Sequence, residues 1–295
     1  MKALLDFIFN YCRVVVGVSV YLMERAPKQG GGYRSPWAVK KVARRFAESQ
    51  NKEFSSRLLE EADILRALEH PNIIGYRTLT KATDGTWCLA MEKAEHSLLD
   101  LIEQRLDNKL GPFLPPQISR VGVDIARALD YLHGEKLLMH GDMKSGNVLI
   151  FGDFKLAKLC DFGVTLPLAE AYGVSKANSY YVGTQAWSAP EVISMDSSHC
   201  DADVPVSCQA DVFAYGLIIW EMLSLCLPHA DHLEDDDDDG ADEDDYLEAL
   251  GTRPSLPELP VEPDYSNAIT VFIACTETIP TRRPRASEAA TLWQI

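Results

Sequence analysis

Two hundred and ninety-five residues exceed the size that one hydrophobic core usually serves, so two lobes or one large domain are expected, and an apolar share of 46% suits a folded globule. The formal charge of −16 is concentrated: ten of the twelve residues from Glu234 to Asp245 are acidic, and removing those ten charges leaves −6. No basic face stands out against that balance, which argues against nucleic acid as a partner.

The seven cysteines (Cys12, Cys88, Cys160, Cys200, Cys208, Cys226 and Cys275) are odd in number, scattered and without a CxxC pair. That is the usage of reduced thiols inside a cell, and cytoplasm and nucleus are the expected compartments. Cys226, His229 and His232 fall at intervals of three, but no fourth metal ligand is evident.

In chain order, the N-terminus MKALLDFIFNYCRVVVGVSVYLM is broken up by Asp6, Asn10 and Arg13, and its longest clean apolar run, Val14 to Met23, is too short for a span of about 20 residues. No membrane association is expected. Val14, Val16, Val18 and Val20 alternate with other residues through β-branched sequence, which predicts a strand. Gly30 to Gly32 read as a turn before a further strand, YRSPWAVKKV. From Glu53 to Leu68, the apolar residues Phe54, Leu58, Ala62, Leu65 and Leu68 keep helical spacing, and Pro71 ends the pattern. Residues 1–92 thus predict a small strand-rich lobe with one helix.

Residues 93–295 predict a larger, mainly helical lobe. ISRVGVDIARALDYLH repeats apolar residues every three or four positions, and two short strands flank the peptide HGDMKSGN, His140 to Asn147, with Gly152 and Asp153 as a hairpin turn. DVFAYGLIIWEML is apolar nearly all round, the pattern of a helix buried on every side. The acidic run 234–245 and GTRPSLPELPVEP read as a surface connection before a last amphipathic helix pair. No internal repeat is visible.

Phosphoryl transfer needs a carboxylate near the attacking hydroxyl, a cation on the transferred group and oxygen ligands for magnesium. Asp142, Lys144 and Asn147 fit those roles on one loop, from which side chains can converge on a cleft instead of entering a core. The peptide DFG, Asp161 to Gly163, follows beyond the hairpin, and its acid is suited to the same magnesium.

HxDxKxxN followed by DFG resembles the catalytic core of the protein kinases. The resemblance implies an α+β, bilobal kinase fold and the cofactors ATP and magnesium. WAVK resembles the third strand, with Ala38 against adenine and Lys40 toward the α and β phosphates, while Lys41 points the other way. Glu61, ten residues before Pro71, is implied as the partner of Lys40. Met91 becomes the gatekeeper, and Glu92 to Ala94 the hinge whose backbone bonds adenine. GTQAWSAPE resembles the substrate-positioning segment, in which Thr184 braces Asp142 and Lys144 and Glu191 pairs with Arg283. Asp211 is implied as the anchor of the catalytic loop, and Asn147 and Asp161 as magnesium ligands.

Lys144 and Thr184 favour serine and threonine as acceptors, with tyrosine left open as an additional one. The finer wording, including VSVYLMER, CLAMEKAEHSLLDLIE and GDFKLAKLCDFGVTLPL, is similar to the mitogen-activated-protein-kinase-kinase-like branch of the family. That likeness implies a mitotic, dual-specificity enzyme acting on p38-type mitogen-activated kinases and on histone tails.

Three departures from the family pattern stand out. Many kinases place Arg before the catalytic Asp, where it receives an activation-loop phosphate; Gly141 cannot, so phosphorylation of Ser175, Ser179 or Thr184 is not expected to activate by that route. If Val20 is the last valine of the family's GxGxxGxV loop, its glycine positions fall on Arg13, Val15 and Val18, with only Gly17 nearby. Side chains there obstruct close approach of backbone to phosphate. Either tight nucleotide binding is lost, leaving a pseudokinase scaffold, or the first dozen or so residues come from a truncated or misassembled reading frame; the second is preferred, because every catalytic group is kept from Val18 onward. The chain ends Trp293, Gln294, Ile295, which is not the Ser/Thr-x-Val tail of a PDZ ligand and is read first as part of the last helix. The acidic run is read as a solvated loop, with docking of basic tails as the sharper alternative.

Overall fold

The computed structural model describes residues 9–15, 18–23, 36–42, 48–176, 181–196, 206–230 and 243–294. The chain divides into two compact units, one formed by Met1–Glu95 with Asp161–Gly163, the other by His96–Cys160 with Val164–Ile295.

Among its described residues, the first unit is a five-stranded sheet and one helix. Its strands are β1 (Phe9–Val15), β2 (Val18–Met23), β3 (Trp37–Val42), β4 (Tyr76–Lys81) and β5 (Trp87–Glu92), in the spatial order β1-β2-β3-β5-β4 with every pairing antiparallel. The single strand expected across Val14 to Val20 is instead two, since β1 turns back so that Val15 pairs with Val18. Alternation alone cannot show where a hairpin reverses, because both arms keep the period of two. Gly17 and the GGG turn lie outside the described residues.

Helix α1 (Glu48–Ala67) buries Leu58, Ala62 and Leu65, and Glu61 falls within that same stripe. The spacing of three and four residues places all of them on one face. On the sheet, Met23, Val39, Cys88 and Ala90 form a buried cluster. Lys41, on the same side of β3 as Val39, meets Asp84 at 2.7 Å.

The second unit holds the helices α2 (Leu98–Asp107), α3 (Pro115–Asp130), α4 (Pro190–Asp196), α5 (Gln209–Ser224), α6 (Glu243–Ala249), α7 (Ser266–Cys275) and α8 (Ala286–Thr291). Every residue of α5 from Ala210 to Leu223 is buried, as its all-round apolar sequence predicts, and α5 packs against α3 and α7. Each large apolar side chain so buried contributes about 1.5–3 kcal/mol before entropy is counted. Ser97 and Asp100 cap α2 reciprocally, the Asp100 N–H donating to Ser97 Oγ and the Ser97 N–H to Asp100 Oδ2. Trp293 donates its indole N–H to the Tyr215 hydroxyl at 2.8 Å, and the hydroxyl donates to the Gly122 carbonyl. The last described residues, Leu292–Gln294, form a helical turn.

Short strands frame the loops that matter. β6 (His96–Ser97), β8 (Val148–Phe151) and β9 (Leu156–Leu159) form one sheet, and β7 (Leu138–Met139) pairs with β10 (Leu166–Pro167). The β8–β9 turn differs from the sequence expectation: the positive φ values fall on Gly152 and Phe154, not on Asp153. Phe154 takes the left-handed conformation while its ring packs edge-on against Phe113, with centroids 5.4 Å apart. The acidic run also ends differently, because α6 begins at Glu243, within it. Acidic residues in a first helical turn are favoured by the helix dipole.

Candidate active site

In the first unit, the register of β2, β3 and β5 decides which side chains share a face. Val20 lies opposite Lys40, and Lys40 opposite Leu89; Leu22 lies opposite Ala38, and Ala38 opposite Met91. Cross-strand partners project to the same side, so Val20, Ala38, Lys40 and Met91 line one face. Glu61 reaches that face from α1. The Lys40 ammonium donates to both Glu61 oxygens, at 3.0 and 2.8 Å, and to Asp161 Oδ1 at 2.8 Å.

Only 11% of the Lys40 side chain and 3% of the Glu61 side chain are exposed, against 32% for Asp161. Burial alone would lower the lysine pKa, but the two carboxylates outweigh it and hold it above the ordinary value. Burial pushes the Glu61 carboxyl up to about 7; the Lys40 charge pulls it down and Asp161 adds to the rise. The lysine therefore stays a cation held by two acids. Asp161 itself is in the left-handed region at φ 66°, Phe162 is buried, and a β-carbon on Gly163 would sit 3.4 Å from Asp161 Oδ1.

At the end of β5, the Glu92 N–H donates to the Gly75 carbonyl at 2.8 Å, and the Glu92 carboxylate accepts from the Gly75 N–H. That N–H is thereby consumed within the unit.

In the second unit, the peptide His140 to Asn147 runs between β7 and β8 and is held from beneath by Asp211 at the start of α5. Asp211 accepts from the His140 N–H at 2.7 Å, the Gly141 N–H at 2.9 Å and His133 Nε2 at 2.8 Å. Burial would lower the His133 pKa, but Asp211 raises it to about 9; Asp211 is correspondingly held below the usual carboxylate range despite its own burial. The buried pair is ionic, and the three donors on the Asp211 carboxylate help make its buried charge tolerable. The His140 ring adds a second brace, its Nε2 on the Cys160 carbonyl at 3.0 Å and its Nδ1 accepting from the Asp142 N–H at 3.3 Å.

Above this base the side chains of Asp142, Lys144, Asn147 and Thr184 meet. The Thr184 hydroxyl donates to Asp142 Oδ1 at 2.6 Å and accepts from the Lys144 ammonium at 2.8 Å, and that ammonium stands 2.7 Å from Asp142 Oδ2. Asn147 donates its amide nitrogen to the Asp142 carbonyl and Oδ2, at 2.7 and 3.0 Å, which turns its amide oxygen outward from the pair. Arg283, almost wholly buried, grips both Glu191 oxygens at 2.7 and 2.8 Å.

Glu221 and its two partners escaped the sequence reading. Glu221, on α5, accepts from Ser145 Oγ at 2.6 Å and from Trp187 Nε1 at 2.8 Å, joining the catalytic-type loop to the segment carrying Thr184. An acid deep in a helix that is apolar on every side beyond its first turn is its legible signal. Of the remaining candidates, Gly17 and His232 lie outside the described residues, and among the described residues no cluster of three metal-binding side chains occurs.

A protein kinase domain model matches residues 31–292. The chain belongs to the protein kinase family. This kinase is 44% identical over 279 residues to the human lymphokine-activated killer T-cell-originated protein kinase, a match covering 92% of the chain and 84% of the relative. It is 31% identical over 205 residues to mouse mitogen-activated protein kinase kinase kinase 13, covering 69% of the chain and only 18% of that relative. It thus spans under a fifth of the second relative's length. Among the described residues of this kinase, no helix is long and apolar enough to cross a membrane.

Proposed function

We propose that the chain transfers the γ-phosphoryl group of ATP to serine and threonine hydroxyls of protein substrates, with tyrosine as an additional acceptor. The observation that carries this is the triangle of Asp142, Lys144 and Thr184, in which a carboxylate, an ammonium and a hydroxyl are mutually bonded at 2.6 to 2.8 Å. Asp142 accepts the proton of the attacking hydroxyl, Lys144 stabilises the charge on the transferred group, and Thr184 fixes the position of both.

The donor chemistry fits magnesium and nucleotide: Asn147 and Asp161 offer oxygen donors of the hard type magnesium takes, and Lys40 is a buried, fully charged cation suited to phosphate oxygens. When bound, magnesium-ATP supplies the electrophilic phosphorus and neutralises its charge. Glu61 keeps Lys40 in place. Val20, Ala38 and Met91 offer an apolar face to adenine, and the backbone of Glu92 to Ala94 its polar edge.

The likeness to a mitogen-activated protein kinase kinase kinase supports a place in mitogen-activated signalling, and the resemblance read from the sequence supports a mitotic role with p38-type kinases and histone tails as substrates. Cytoplasm and nucleus fit the reduced-thiol usage. The scaffold alternative finds no support in these relatives, whose names are those of kinases. The test is radiolabel transfer from ATP to a basic protein by the parent, Asp142→Asn and Lys40→Met. Loss of at least about 100-fold is expected for Asp142→Asn, the scale of a removed general base. Equal transfer by parent and Asp142→Asn would sink the reading.

A further inference from the structure

Gly141 removes the side chain that would order the segment after DFG through a phosphate, yet residues 164–176 are firmly stitched to the second unit. Leu168 donates its N–H to the Leu137 carbonyl at 2.7 Å, Ser175 to Val206 at 2.7 Å, and Cys208 to Gly173 at 3.1 Å. Within the segment, Ala169 bonds Val174 and Lys176 bonds Pro167, closing a small hairpin.

At the tip of that hairpin stands Tyr172. Its hydroxyl donates to Asp130 Oδ1 at 2.6 Å, its N–H donates to the His133 carbonyl at 3.1 Å, and Arg285 lies over its ring at 5.0 Å. The phenol seats in a notch left by Gly134, where an added β-carbon would come within 2.6 Å of the hydroxyl. Tyr172 itself sits at φ 54°, a conformation that is strained for a non-glycine residue and persists where surrounding contacts hold it.

The same segment reaches the loop that carries Asp142. The Val164 carbonyl closes over Gly141, and the Thr165 hydroxyl is 3.5 Å from the His140 carbonyl.

We propose that Tyr172 is a positioning residue: its phenol, latched to Asp130 in the notch at Gly134, holds the post-DFG segment against the catalytic loop and replaces the arginine–phosphate pair that Gly141 forgoes. The catalytic consequence rests on the kinase reading above. The bond to an ionised acceptor strengthens the latch, and Asp130 keeps the Tyr172 phenol protonated by raising its pKa.

The test is amide hydrogen exchange of residues 164–176 in the full chain. Tyr172→Phe should speed exchange by roughly 10-fold or more, as expected for losing a hydrogen bond to a charged group. Asp130→Ala should do the same, with no further increase in the double variant, whereas Asp130→Asn, which keeps an acceptor oxygen but not the charge, should speed exchange less than Asp130→Ala does. Gly134→Ala fills the notch with the phenol intact and should also loosen the segment. In each loosened variant, kcat should fall with the KM for ATP unchanged, and phosphatase treatment of the parent should leave exchange slow. Parent-like exchange in both Tyr172→Phe and Gly134→Ala, or fast exchange in phosphatase-treated parent, would overturn the proposal. Exchange needs no phosphoryl transfer, so an inactive parent would count against the kinase reading alone.

Discussion

The carbonyl oxygen of Val164 stands 2.8 Å from where a β-carbon on Gly141 would lie, and Gly141 has φ at +79°. Both facts exclude a side chain: the conformation is strained for any residue but glycine, and the nearest obstacle is backbone, which cannot swing aside. The glycine before Asp142 is therefore fitted to its surroundings and is more than a missing arginine.

Gly141→Ala should consequently destabilise the protein by about 1–3 kcal/mol in chemical denaturation and lower kcat, because strain there displaces the backbone that Asp211 holds. Gly141→Arg should be worse and should not confer activation by phosphorylation. Recovery of phosphate-dependent activity in Gly141→Arg would show that the backbone adapts easily and that the steric account is mistaken.

Phosphomimetic changes in the neighbouring segment have a second obstacle. Ser175 is 1% exposed, and its Oγ accepts from the Val206 N–H at 2.9 Å. Thr184 is already committed between Asp142 and Lys144. Ser175→Glu should cost stability because it buries an acid with no cation prepared for it, and Thr184→Glu should abolish transfer by setting a carboxylate against Asp142. Thr184→Ser should keep most activity and Thr184→Ala should lose it, separating a hydroxyl role from a volume role. Steady-state kinetics on the four variants decide the matter, and activation by either glutamate would contradict it.

What the sequence disclosed follows from the range of its signals. Lys40, Glu61, Asp142, Asn147 and Asp161 were legible because their types and spacings are fixed by the chemistry, and α5 because an all-round apolar run has one stable environment. Tyr172 and Gly134, by contrast, complement each other only after the chain has turned back on itself, and no local period records that fit. The Phe154 turn escaped for a related reason: a bulky residue adopts positive φ there while its ring packs on Phe113, a tertiary contact that overrides the local preference for glycine or asparagine.

Glu221 makes the stability dependent on pH. Full burial pushes its carboxyl up to about 7, although Ser145 and Trp187 donate to it and pull the other way. A carboxyl that binds its proton more tightly folded than unfolded favours the fold while protonated. Its contribution is full below the unfolded value near 4.5 and is lost as pH rises through about 7. Glu221→Gln, which cannot ionise and keeps an oxygen for the Trp187 N–H, should therefore flatten the fall in stability between pH 5 and pH 8. Glu61, also raised to about 7, leaves part of that slope in place. Denaturation midpoints of parent and variant across that range test this, and parallel curves would remove Glu221 as the source.

The acidic run offers a substrate-level prediction that depends on charge alone. Five consecutive aspartates, Asp235 to Asp239, lie in a stretch outside the described residues, within a segment carrying ten acids in twelve positions. Such a density attracts a basic protein tail over about 8–10 Å at physiological salt and less as salt rises, because counterions screen the field. Replacing the five aspartates with asparagine should raise the KM for a histone-like basic substrate several-fold, leave kcat near the parent value and flatten the dependence of KM on salt. A neutral peptide phosphorylated at the same hydroxyl should be unaffected. If both substrates weaken together, the run supports the fold or the catalytic unit and does not select basic partners, since a long-range field acts only on a substrate that carries charge.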